Sequence, residues 1–316
     1  MEVFATCCDG DVLSLPALLA WRLSYTVGIP CDSFSFRFIW KTGLEQALAR
    51  AVTITARENG ETVFSGVIDE YESQWTAQGG TLLLSGRGLA ARLLDNETVA
   101  TEYQTATLAD ILRDHVTPYG IRVAKQSILP AVPNFSVSSG SSEWQVLYEF
   151  ARYHGNVTPR FDRTGNLLLT TWENSTKVVL DDRVPVTELH YRYRRYGVLS
   201  EILVQDKTRQ TAQRVENRTF LDLGGQCRRV LTMPGKSNYQ TMRYSGQFQL
   251  DRSKSELIRA ELTVAALFLA WPGDLVTLNR TGLGYNGTYR VLESTVEADE
   301  DGGRTRLTLG QPDAVI

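Results

Sequence analysis

The chain has 316 residues, about twice the length of a typical domain, so it has room for two or three hydrophobic cores. Its 33 Lys and Arg against 36 Asp and Glu leave a formal charge of -3, which excludes the strongly basic balance of a general nucleic-acid binder. With 42% hydrophobic and 22% charged residues, the composition is that of an ordinary globular protein, neither disordered nor membrane-embedded.

From Glu2 to Gly86 short β-prone runs alternate with turn residues: Phe34 to Ile39, Val52 to Arg57 and Thr62 to Trp75. Asn59-Gly60 lies between two of them, a dipeptide suited to a type I′ hairpin because both central positions need positive φ. Thr81 to Ser85 follows Gly79-Gly80, and Gly86-Arg87-Gly88 leads into a short helical segment, Leu89 to Leu94, that Asp95-Asn96 ends. Near the start, acidic Glu2, Asp9 and Asp11 stand where an export signal needs basic residues. The apolar stretch Val12 to Ile29 is broken by Pro16 and Arg22, so no export signal and no membrane span are expected.

Helical spacing begins after residue 100. Leu108, Ile111, Leu112, His115 and Val116 follow a Thr107 N-cap with Asp110 three residues on, and Pro118 and Gly120 stop that helix. A second helix opens at Ser142 with Gln145 and runs through Trp144, Leu147, Phe150 and Ala151 to a cap expected at Gly155. Asp162 to Gly165 reads as the turn of a hairpin ending at Leu167 to Trp172. Strands then return: Leu199 to Gln205, Val215 to Leu221, Arg228 to Met233 and Leu275 to Leu278. The apolar run Leu262 to Trp271 is too short for a membrane helix and reads as core.

The fold expected is therefore mainly β with a small α+β insert, two similar antiparallel β-barrel domains flanking it. The divisions are 1–99, 100–176 and 177–316. A faint internal echo supports the pairing of barrels: Gly66 to Glu70 and Gly79 to Gly86 resemble Arg290 to Glu293 and Gly302 to Gly310, each reading as a last hairpin.

Chemistry is sparse. Cys7, Cys8, Cys31 and Cys227 and the histidines at 115, 154 and 190 lack metal-ligand spacing, so free thiols, no metal and no cofactor are expected. Gly86-Arg87-Gly88-Leu89-Ala90-Ala91 mimics a dinucleotide fingerprint, but it follows the second arm of a hairpin and opens only a short helix, so its glycines read as chain geometry. Glu70 and Glu72 share a strand face and Asp69 takes the other; a polar rim or subunit contact fits them better than glycosidase carboxylates. No Ser/His/Asp order appears, and His115 and His154 sit on apolar helix faces as packing residues. Tyr191 to Tyr196 interleaves aromatics with arginines, as a single-strand binder would, but a half-buried strand with a charged outer face fits as well and is simpler. The acidic run Glu297 to Asp301 reads as a solvated hairpin tip.

Several segments together resemble the baseplate hub proteins of phage tails and related contractile injection systems, including late control protein D-like proteins and the hub part of VgrG-type spikes. They are Phe64 to Ile68, Leu82 to Leu89 and Leu93 to Asn96 in the first third, then Trp144, Gly155 and Phe161 to Leu167. Near the end they are Trp271 to Val276, Asn286 to Tyr289 and the terminal strand. The resemblance implies a homotrimer whose paired barrels make a pseudo-six-fold ring joining a hexameric tail tube to a trimeric central spike. Its partners would be the tube or a distal tube-initiator protein, the spike and a tape-measure protein, with no membrane and no specific nucleic acid. The protein would be no enzyme, would reside in a virion tail or phage-like particle, and would assemble in the bacterial cytoplasm. The chain ends at Ile316 soon after its last strand, which disfavours an appended lysozyme or peptidase. Candidate subunit or tube contact strands carry Glu70, Glu72, Leu82, Leu84, Leu292 and Leu307. The rival is a polysaccharide-binding or polysaccharide-degrading β protein of a tail, which would line one groove with exposed members of its 6 Trp.

Overall fold

The computed structural model describes residues 1–27, 31–172, 177–206, 212–233 and 239–314. Ile29, the boundary expected at 176 and the terminal Ile316 lie outside the described residues. The first half comprises β1 (Glu2–Cys7), β2 (Val12–Ser14), β3 (Leu18–Thr26), β4 (Ser33–Ile39), α1 (Leu44–Leu48), β5 (Ala51–Glu58), β6 (Glu61–Thr76), β7 (Gly79–Gly88) and α2 (Ala91–Leu94). Alternation builds its core: in β4, Phe34, Phe36 and Phe38 are buried while Arg37 faces water, and their rings meet Ile54, Phe64, Leu82 and Leu84. Asn59 and Gly60 take φ of 51° and 83°, giving the expected hairpin with Glu58 opposite Glu61.

The middle segment holds β8 (Thr101–Ala106), α3 (Leu108–His115), β9 (Val123–Gln126), β10 (Val132–Val137), α4 (Glu143–Tyr148), β11 (Arg160–Phe161) and β12 (Leu167–Leu169). The Thr107 side chain accepts from the Asp110 N–H while Asp110 accepts from the Thr107 N–H, the reciprocal cap read from the sequence. At Ser142 only one arm of that pattern forms, to the Gln145 N–H. After α4 the helix widens to a π-turn over Glu149–His154 and ends at Asn156, φ 55°, not at Gly155, whose φ is -103°. Asn156 tolerates the left-handed conformation through its short polar side chain.

The last part holds β13 (Lys177–Leu180), β14 (Val186–Tyr193), β15 (Glu201–Asp206), β16 (Ala212–Glu216), α5 (Arg218–Asp222), β17 (Arg228–Met233), α6 (Tyr239–Ser255), β18 (Ile258–Val264), β19 (Leu275–Leu278), β20 (Gly287–Asp299) and β21 (Gly302–Gly310). The strand expected over Val215 to Leu221 stops at Glu216, because the Asn217 side chain accepts the Phe220 N–H and caps α5, which drops Phe220 into a small core with Val198 and Leu257. Strands β15 to β17 and helix α6 form a separate α+β module around Ile202, Val204, Met242 and Leu250.

The internal echo is a duplication of strand order. The first half runs β3-β4-β7-β6-β5-β1 and the last part β14-β18-β21-β20-β19-β13, with the β15 to β17 module between β14 and β18. The last hairpins match pair for pair: Ile68↔Gly86 and Glu70↔Ser85 flank a bulge at Asp69, as Val291↔Leu309 and Glu293↔Thr308 flank one at Leu292. Their tips close at Thr76↔Gly79 and Asp299↔Gly302, with both glycines at positive φ. The outer pairs match too, β3 with β4 bulging at Leu18/Ala20 and β14 with β18 at Val186/Glu188. The edges differ: β1 is antiparallel to β5, whereas β13 is parallel to β19.

The two halves are joined through their sheets. Strand β20 extends beyond β19, and β3 takes the edge thus left, from Glu293↔Thr26 to Ala298↔Trp21. Both halves therefore belong to one thirteen-stranded sheet whose path, among the described strands, is open at both ends. Val296, Phe268 and Trp271 from the last part pack into the first core.

Candidate functional site

Bound chemistry finds little purchase. Among the described residues no group of three or more His, Cys, Asp or Glu is placed to hold a metal ion, and no helix is long and apolar enough to cross a membrane. All four cysteines are free thiols. Strand β7 pairs antiparallel with both β4 and β6, so Gly86-Arg87-Gly88 is not the phosphate turn of a parallel fold. Neither Gly86 nor Gly88 has positive φ. What Gly86 supplies is room, since a Cβ there would lie 2.0 Å from the Val67 carbonyl oxygen. Asp69 is committed to Arg87, at 2.7 and 2.9 Å, and the same guanidinium clamps Asp95 beside α2.

The middle segment contains one buried polar cluster. His115 Nδ1 lies 2.6 Å from Glu143 Oε2, the Tyr119 hydroxyl donates to Glu143 Oε1 at 2.8 Å, and the Tyr103 hydroxyl lies 3.0 Å from His115 Nε2 and donates to Asp114 at 2.9 Å. With its partners all supplied by the chain and His115 and Glu143 both buried, it ties α3 to α4 as a packing network. His154 packs between Phe135 and Phe150, and burial lowers its pKa. A cleft between the first half and the middle segment holds Cys31, Asp32, Arg160 and Asp162. Burial raises the Cys31 thiol to about 11 and the Asp32 carboxyl to about 7, the latter partly offset by the Thr26 N–H at 2.8 Å. A thiol raised so far is poorly nucleophilic at neutral pH. An open groove lined by Asp181, Asp182 and Arg280 is closed on itself, Arg280 donating to the carbonyls of Asp181 and Val184 and Asp182 accepting from Thr281.

Among the described residues the tryptophans do not gather along one exposed groove. Trp75 is 62% exposed, but Trp144 is buried, Trp21 stacks on Phe268, Trp271 meets Tyr25 edge-on, and Arg160 lies over Trp172.

The distinctive surface features are two sheet edges. Beyond Val67, β6 keeps β7 on one side but loses β5 on the other, and its residues from Asp69 to Thr76 are exposed on both faces. Glu70, Glu72 and Gln74 form the outer face. Tyr71, Ser73 and Trp75 share the face of Leu84, Leu82 and Gly80, which leads into the core. A second open edge is β14, paired with β18 alone. Leu189, Tyr191 and Tyr193 face inward with Leu262 and Ala260, and Tyr191 stacks on Tyr285 at 4.2 Å. His190 and Arg192 face out, the charged surface that strand alternation implies.

Of the proposed contact residues, Glu70 and Glu72 stand on an open edge, whereas Leu82, Leu84 and Leu307 do not. Their side chains are 0%, 0% and 1% exposed, and β7 and β21 are paired on both sides, so within the chain these three side chains pack in the core. Leu292, half-buried at its bulge, would lie against any Cβ at Gly310. Sequence reasoning missed β14 as an open edge, although the interleaved Tyr and Arg of residues 191 to 196 marked it. The acidic tip is also less solvated than expected: Glu297 is buried and held by Arg304 at 2.6 Å and Arg306 at 3.0 Å.

Residues 90–171 match the family described as baseplate hub protein gp44-like, second domain. A comparison with curated proteins finds no match. Among solved structures, the fold is similar to the tail protein from Neisseria meningitidis MC58, with TM-score 0.80, 18% identity, and 99% of this chain and 98% of that one covered. It is similar to the 43 kDa tail protein of prophage MuSo2 from Shewanella oneidensis, with TM-score 0.76, 18% identity, and 99% and 97% covered. A more distant likeness, TM-score 0.60 and 12% identity over 92% of this chain and 73% of that one, is to the E. coli c3393 protein, a component of the type VI secretion system. The resemblance to baseplate hub proteins read from the sequence is borne out, and over its whole length the chain has the fold of tail proteins.

Proposed function

We propose that the protein is a structural hub of a phage tail baseplate or related injection apparatus, in which copies close into a trimeric, pseudo-six-fold ring between a hexameric tail tube and a trimeric spike. The match of residues 90–171 to a hub domain, inside a chain that shares its fold with tail proteins from end to end, carries this reading. The duplicated strand order adds a physical reason, since a chain with two like halves can present six similar units from three copies. Its partners in this role are further copies of itself, the tube or its initiator, the spike and the tape-measure protein, within a tail assembled in the bacterial cytoplasm. No catalytic residue is needed for it, and no peptidoglycan turnover is expected.

Negative-stain imaging and native mass spectrometry of the full chain, alone and with the cognate tube and spike proteins, test the reading. A three-fold ring with a central hole, or a complex containing three copies, is expected. A monomer or two-fold dimer under every condition, with no complex formed, would overturn it.

A further inference from the structure

The module inserted between β14 and β18 differs from the rest of the chain in charge. From Val198 to Glu256 there are ten Lys and Arg against six Asp and Glu, whereas the remainder has an acidic excess. The module's sheet runs β16-β15-β17, and helix α6 packs over β15 and β16. Among the described strands β17 has only β15 beside it, in parallel pairing from Glu201↔Arg228 to Asp206↔Met233, so its far side presents a row of open backbone donors and acceptors. The carboxylates near this sheet are already engaged. Buried Glu201 lies between Arg214, at 2.6 Å, and Arg228, while Glu216 meets Arg214 at 3.0 Å. Cations are left over at the β17 edge: among the described residues Arg229 has no ion pair, and Arg228 has no acidic partner besides Glu201. Next to this basic pair Val230 is 52% exposed, and Leu231 and Met233 are half-buried at the rim of the module's core.

We propose that β17 is a docking edge for an extended segment of a partner protein, a segment of apolar residues followed by two acidic ones that adds antiparallel as a fourth strand. Its backbone takes up the open row of donors and acceptors. Running from Met233 towards Arg228, its first residues cover Met233, Leu231 and Val230, and its two carboxylates stand opposite Arg229 and Arg228, one on each face of the sheet. Charge selects this occupant, because a basic segment would meet the surplus cations with like charge. A nucleic-acid strand fits less well, since β17 offers no aromatic side chain for a base to stack on and its apolar stretch follows the basic pair directly. The opposite edge, β16, spends Arg214 on Glu201 and Glu216 and lies under α6. The site belongs to the inserted module alone, so it goes beyond the hub reading and does not depend on copies closing into a ring.

Fluorescence anisotropy of a labelled peptide, Val-Thr-Val-Val-Glu-Glu, titrated with the full chain tests the proposal. The parent chain is expected to bind it saturably. R229E is expected to bind about fivefold or more weakly, and a peptide with Lys at its fifth position, opposite Arg229, to recover most of that loss on R229E. Arg229 is exposed, and an unchanged thermal midpoint confirms that the variant folds. The Lys peptide against the parent chain reads the same charge without altering the protein and is expected to bind weakly. Prolines at the third and fourth peptide positions, one of which must face the ladder, are expected to abolish binding. No saturable binding by the parent, equal binding of the Glu and Lys peptides, tolerance of the prolines, or a labelled oligothymidylate bound as tightly as the peptide would overturn the docking edge.

Discussion

Gly86 and Gly88 look equivalent in the sequence, yet they sit in different surroundings. An alanine methyl at Gly86 would meet the Val67 carbonyl oxygen at 2.0 Å and the Phe34 ring at 2.7 Å, where paired backbone cannot give way. At Gly88 it would meet the Asp32 Cβ at 3.2 Å. Gly86→Ala is therefore expected to cost about 3 kcal/mol or more and Gly88→Ala about 1 kcal/mol or less, measured by denaturant unfolding. Asp32 gives a pH dependence. With its carboxyl raised from 3.8 to about 7 by burial, the folded chain holds more protons than the unfolded chain in that window, so stability falls as pH rises through it. Asp32→Asn keeps an oxygen for the Thr26 N–H and removes the ionisation. It should flatten the stability profile between about pH 4 and 7, seen as a parallel rather than diverging pair of melting curves.

At the scale of elements, the coupling of α3 to α4 depends on one buried carboxylate. Removing Glu143 leaves His115 and the Tyr119 hydroxyl without their acceptor inside the protein, so Glu143→Ala is expected to destabilise by about 3 kcal/mol, read from chemical denaturation. The caps of these helices were legible beforehand because Thr107-x-x-Asp110 and Ser142 act within one turn. The end at Asn156 was not, because the widened turn over Glu149–His154 shifts the termination by a residue and local spacing carries no sign of it. The hairpin at Asn59-Gly60 was legible for the same reason as the caps: the demand for two positive φ values is local. Helix α5 was misread as strand, since Val215, Phe220 and Leu221 favour strands by composition and the Asn217 cap overrides them.

For the whole molecule, the joint between β20 and β3 means that the first half is not complete by itself. Leu23 and Val296 are both 0% exposed at that joint. Leu23→Ala is expected to cost about 3 kcal/mol, and calorimetry should show both halves of the shared sheet melting in one transition. A fragment ending near residue 99, lacking Val296, Phe268 and Trp271, should fail to give a cooperatively folded protein; a fragment with a sharp melt would refute the shared core.

The sequence by itself determined the mainly β character, the helices of the middle segment, the hairpin turns, the echo between the two last hairpins and the order of segments that resembles baseplate hubs. All of these are written in residues close together in the chain or in patterns of period two and 3.6. Only the tertiary structure decided that the halves share one sheet, that Leu82, Leu84 and Leu307 are core, and that the β6 extension and β14 are left open. Those outcomes depend on which strand takes which edge, as Trp21 of β3 and Ala298 of β20 do. A backbone edge offers the same donors and acceptors whatever its side chains, so its partner is chosen by the assembled sheet.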